Sequence, residues 1–222
     1  MASNRRFTNG FIAVCLFTAA YLTAAGVTAW IQQSVEFAFY IIVMLVLLGA
    51  VGAIHKRVRF TTGVLFCLSI WGAMHMAGGL VPVPDAWPIN GENRVIYSWW
   101  VIPFATGDDG RVLYGLKYDQ LTHAYGFGIT AWACWQGLCA TLRSARGEDK
   151  EQRLPVSPTF GRLFLCFTAS MGFGALNEIV EFLATTLGPT NVGGYINTSY
   201  DLIANAAGAL IAVAVIRFVK AG

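Results

Sequence analysis

The chain has 222 residues, 56% of them hydrophobic and only 12% charged, with a mean hydropathy of +0.57. Soluble domains carry about 25% charged residues, so this composition excludes an ordinary soluble fold and points to the bilayer. The net charge is +3, and no Lys/Arg cluster is interleaved with aromatics in a soluble segment, so nucleic acid is not an expected partner.

In chain order, apolar windows of about 20 residues predict membrane-spanning helices at 10–31, 35–54, 61–81, 118–142, 160–187 and 199–219. Arg5 and Arg6 precede the first window, but it lacks a small-residue cleavage site and reads as a retained span, not a signal peptide. His55, in "HKRVR" after the second window, reads as a solvated residue of a cytoplasmic turn. Segment 82–117 is too rich in Pro, Gly and Asp to span. It holds "PVPDAWP", the turn-forming "GDDG" and the patch "YSWW", whose Tyr97, Trp99 and Trp100 fit an aromatic belt, loop packing or a substrate lid. The expected fold is all-α and polytopic: one transmembrane domain, 1–222, with six helices in one bundle.

Basic residues set the orientation. With the N-terminus inside, the inner side receives twelve: Arg5, Arg6, Lys56, Arg57, Arg59, Arg143, Arg146, Lys150, Arg153, Arg162, Arg217 and Lys220. The outer side receives three, Arg94, Arg111 and Lys117. Positive charge stays inside, so both termini are expected in the cytoplasm, with 82–117 as the outer loop of a bacterial inner-membrane protein. The five cysteines (Cys15, Cys67, Cys134, Cys139, Cys166) lie in apolar stretches without a CxxC pair and read as small buried hydrophobes, neither disulfides nor zinc ligands.

Polar residues inside the spans converge on one depth. At 1.5 Å per residue, His75 lies about 21 Å along the third span, and Glu178 and Glu181 about 27 and 32 Å along the fifth. The fourth and sixth spans start at that level with Asp119 and Asp201, followed one turn later by His123 and Asn205. Simpler roles exist for some of these. Asp119 and Asp201 suit helix N-caps, His75 beside Gly78 and Gly79 suits a helix end, and Asn205 in "NAAGAL" suits a small-residue helix interface. Glu178 and Glu181, with Asn177 beside them, resist such readings. Two carboxylates three residues apart repel unless they share a proton, a metal or a basic partner, and no Lys or Arg lies in the outer halves of the spans.

The segments "HMAGG" (75–79), "YDQLTHAYGFG" (118–128), "NEIVEF" (177–182) and "GGYINTSYDLIANAAGAL" (193–210) resemble, in order, the signatures of the YjdF-type inner-membrane proteins. Those are relatives, at superfamily level, of the VanZ-like proteins. The resemblance covers about residues 60–210. It departs from the family pattern at Phe182, where a tryptophan is usual, and at positions such as Gly194 and Asn197, where aspartates are. It implies a small polytopic inner-membrane protein and, the family being largely uncharacterised, little about activity.

Imidazoles and carboxylates together suit a divalent metal such as zinc, manganese or iron. The expected ligands are His75, His123, Glu178 and Glu181, with Asp119 or Asp201 completing the shell and one free carboxylate (Asp119, Glu178 or Glu181) as general base. The depth favours a lipid, a lipid-linked envelope precursor or another amphiphile, attacked by a metal-dependent hydrolase or oxidoreductase. The alternatives are proton- or ion-coupled transport and a non-catalytic scaffold or resistance factor whose polar cluster locks the bundle. GxSxG, dinucleotide and phosphate-loop motifs are absent.

Overall fold

A computed structural model describes residues 9–91, 93–148, 154–190 and 192–221. Arg5, Arg6, Lys150 and Arg153 lie outside the described residues, as does the side chain of Lys220. Six long helices account for most of the described chain: α1 (Asn9–Ile31), α2 (Val35–Val58), α3 (Thr62–Leu80), α4 (Tyr118–Ala145), α5 (Phe160–Thr185) and α6 (Tyr195–Ala221). Five of them, all but α4, are long and apolar enough to cross a membrane.

Local chemistry explains the ends. Ser34 caps α2 by accepting from the Phe37 N–H at 3.3 Å, and Thr61 caps α3 by accepting from the Val64 N–H at 3.4 Å. Helix α2 continues through His55 to Val58 because nothing breaks it before Arg59, whose φ of 58° turns the chain away. Its last turn carries His55, Lys56 and Arg57, a favourable place for cations. His55 is therefore not the loop residue the sequence suggested; it stacks between Phe11 and Phe60, ring centroids 5.7 and 6.2 Å away.

Segment 82–117 holds no helix long and apolar enough to cross a membrane among its described residues, and it is more ordered than a loop. A single 3-10 turn (Ile96–Ser98) leads into an antiparallel hairpin of β1 (Trp100–Thr106) and β2 (Val112–Lys117), with "GDDG" at its tip. Strand β2 runs directly into α4.

Helix α4 departs from the others because it is the internal post. It packs against α2, α3, α5 and α6, and its polar side chains Gln120, Thr122 and His123 are buried. Its tightest partner is α6, where small residues bring the backbones together: a Cβ on Gly208 would overlap the Ala124 carbonyl, and Ala131 and Ala209 are fully buried. The opposite distribution holds on α5 and α6. Ile179, Phe182, Ile203 and Phe218 are exposed in the isolated chain, an apolar surface larger than a soluble monomer tolerates and suited to lipid. None of the five cysteines is in a disulfide; Cys139 and Cys166 are buried as expected, whereas Cys15 lies on the exposed face of α1.

Candidate functional site: a buried histidine–carboxylate cluster

The cluster lies at the end of the bundle that carries the hairpin, where α3 and α5 finish and α4 and α6 begin. His123, one turn into α4, is its centre and is 3% exposed. Its Nδ1 is 3.0 Å from Asn205 Oδ1 on α6 and 3.7 Å from Glu178 Oε1 on α5. Its Nε2 is 3.7 Å from both Asp119 Oδ1 and Glu181 Oε1. Helical spacing produces this convergence. Asp119 and His123 are one turn apart, as are Asn177 and Glu181, and as are Asn197, Asp201 and Asn205 in succession, so each helix presents its polar atoms on one face.

His123, Glu178, Glu181 and Asp201 each offer one ligand atom, and the four atoms lie within 4.8 Å of one another. That bound exceeds the edge, about 3.4 Å, of a tetrahedron of ligands about 2.1 Å from a metal, so the four side chains would draw together to hold one ion. Neither oxygen of Glu178 nor Oδ1 of Asp201 meets a hydrogen-bond partner among the described residues, although all three atoms are buried. Buried carboxylate oxygens ordinarily have partners, so these are the atoms a cation would satisfy. The group could bind a metal ion.

The other expected site residues stand around this set, with different duties. Asp119 is outside the four. It is not a helix cap either: Lys117 is the N-cap of α4, its N–H donating to Gln120 Oε1 at 2.9 Å. Asp201 is likewise no cap, because α6 begins six residues before it, at Tyr195. His75 does not close α3, whose end is capped by the Val81 N–H donating to the Ala77 carbonyl. Instead its ring faces Tyr97 of the 82–117 segment, and the phenol oxygen lies 2.6 Å from His75 Nδ1 and 2.8 Å from the His75 carbonyl. With its one proton given to the carbonyl, the phenol accepts from Nδ1–H, leaving Nε2 as the acceptor of the ring. Desolvation, followed by the nearby Asp119 carboxylate, holds the Tyr97 phenol well above its ordinary range, so it remains a neutral hydroxyl. Asn177 donates to Glu181 Oε1 at 2.7 Å, orienting that carboxylate. Asn205 serves both roles open to it, touching His123 while its side chain fits over Gly174, where a Cβ would come 2.7 Å from Nδ2.

Several residues were not legible beforehand. Lys117, assigned to the outer loop, is 6% exposed, and its ammonium donates to Asn197 Oδ1. Asn197 Nδ2 then donates to Asp201 Oδ2 at 2.6 Å and to Asp119 Oδ2 at 3.3 Å. So a basic group does reach the acids, through an amide, from just outside the span. Tyr97 and Tyr40 line a small cavity with His75, Asp119, Glu181 and Asn197. Glu36 lines it too; in the sequence it is indistinguishable from an ordinary first-turn acid complementing a helix dipole. The sequence signal for Lys117 was its place two residues ahead of Asp119, and for Asn197 its place one turn ahead of Asp201.

The family described as "Predicted membrane protein (DUF2238)" matches residues 11–222. The chain belongs to that family. No curated protein and no solved structure matches it. For this DUF2238 member, function must therefore be argued from the cluster itself.

Proposed function

We propose that this protein is a metal-dependent hydrolase of the bacterial inner membrane acting on a lipid or lipid-linked envelope substrate. The observation that carries the reading is the meeting of His123, Glu178, Glu181 and Asp201 within 4.8 Å, with three of their buried oxygens meeting no hydrogen-bond partner among the described residues. These four residues would hold a zinc, manganese or iron ion, which would offset the mutual repulsion of the acids and supply Lewis-acid polarisation of water or a substrate oxygen. Asp119, 3.7 Å from His123 and outside the four, is the group that takes the proton from the attacking water. Asn205 and Asn177 orient the ligands from behind.

The substrate class follows from position. All six long helices cross the bilayer in this reading, α4 included, with both termini in the cytoplasm. The cluster then sits a few ångströms below the outer headgroups, within reach of an amphiphile whose head lies at that level. The ordered resemblance to YjdF-type inner-membrane proteins supports the same location. Metal analysis of protein purified without chelators, beside Glu178→Gln and His123→Ala, tests the proposal. One equivalent in wild type and little in either variant is expected; metal-free wild type overturns it.

A further inference from the structure

Two hollows at the hairpin end share one wall. The inner cavity, about 20 Å³, is bordered by His75, Tyr97, Asp119 and Glu181 and by Glu36. A second, about 350 Å³, lies between the α1–α2 turn (Gln32, Ser34), the segment around Asn93 and Arg94, and the α5–α6 connection (Pro189, Thr190), and it is bordered by Glu36 as well. Among the described residues, Glu36 is the one that lines both. It is 6% exposed, one residue before Phe37, whose ring closes against Gly79.

Three other faces of the cluster are closed among the described residues. Between α4 and α6 the Gly208–Ala124 contact leaves no gap. Gly78 is covered by the Tyr97 ring. The outward side of α5 presents Ile179 and Phe182 to lipid, and a hydrated ion does not cross hydrocarbon. The inner cavity holds about one water or one ion. Carboxylates line the route inward, Glu36 first, then Asp119 and Glu181, then Glu178 and Asp201. The basic groups at this level are engaged: Lys117 donates to Asn197, and Arg94 pairs with Asp85 at 3.2 Å.

We infer that a divalent cation enters the cluster through the wide hollow and that Glu36 is the carboxylate it passes. The inference rests on the metal reading above and assigns that site its entrance.

The test is loading kinetics on full-length protein in detergent, stripped with chelator and then mixed with Zn²⁺ or Mn²⁺ beside a metal-sensitive dye. Steering by a charge at a cleft mouth changes association rates by about 10- to 1,000-fold. Glu36→Gln is expected to load about tenfold more slowly or worse, yet reach the wild-type metal content. Thr190→Cys carrying a bulky thiol reagent is expected to load slowly too, against the parent protein treated identically as a control for the native cysteines. Should Glu36→Gln fail to fold, the blocked Thr190→Cys protein decides alone. Wild-type rates in the folded variants overturn the entrance while leaving the metal site standing. A lowered final metal content in Glu36→Gln also overturns it, because Glu36 is then a ligand. Wild type that takes up no metal removes the proposed function, and the entrance with it.

Discussion

Glu178 is a buried acid whose two oxygens meet no hydrogen-bond donor among the described residues, and that makes it the most informative residue to change. Without metal, Glu178→Gln removes an unpaired acid from an acidic neighbourhood, so the chelated variant is expected to be at least as stable as chelated wild type. With metal the order reverses. Wild type is expected to gain about 2.7 kcal/mol at a metal concentration 100-fold above Kd, read as a rise in melting temperature, and Glu178→Gln almost none. Because protons compete with metal for imidazole and carboxylate, the wild-type gain shrinks as pH falls. Tyr97→Phe makes a separate test: losing the contact with His75 costs about 1 kcal/mol, seen as a lower melting temperature in chelator. At this scale the sequence was partly readable. The depth argument brought His123, Glu178, Glu181 and Asp201 to one level because helical rise is nearly constant. It could not rank His75 and Asp119 below them, since rotation about the helix axis, not depth, turns His75 toward Tyr97.

Helix positions were largely legible, because a run of apolar residues long enough to span has few other uses. The discrepancies lie where polarity and helicity part company. Helix α6 starts at Tyr195, four residues before the apolar window, since Asn197 and Thr198 are helical while being polar. The hairpin was invisible as such: its register is irregular, with bulges near Trp100, Pro103 and Ala105, so no clean alternation marks it. Packing between α4 and α6 gives the prediction for this scale. Gly208→Leu forces the two backbones apart and is expected to cost about 2 kcal/mol or more. Gly137→Ala on α4, with nothing within 4 Å of the added carbon, is expected to be neutral or to stabilise by up to about 1 kcal/mol. Thermal unfolding of both in the same detergent separates a packing effect from helix propensity.

For the whole molecule, the charge asymmetry of twelve basic residues against three is expected to orient the bundle. Topology reporters inserted at the hairpin tip, at Gly110, are expected to report the outer side, and reporters at the C-terminus the cytoplasm. The same orientation predicts one-sided chemistry. An impermeant chelator is expected to strip metal from right-side-out vesicles and to spare inverted ones, as measured by the metal retained after washing.

Strand β2 and helix α4 share a boundary without a linker: Trp100 pairs with Lys117, and the Tyr118 N–H donates to the Trp99 carbonyl. The base of the hairpin and the first turn of α4 are thus one hydrogen-bonded piece. The hairpin is a handle joined to the post with no linker between them. A load on its tip, from a leaflet, a partner or an antibody, would be felt at the turn that carries Asp119 and His123.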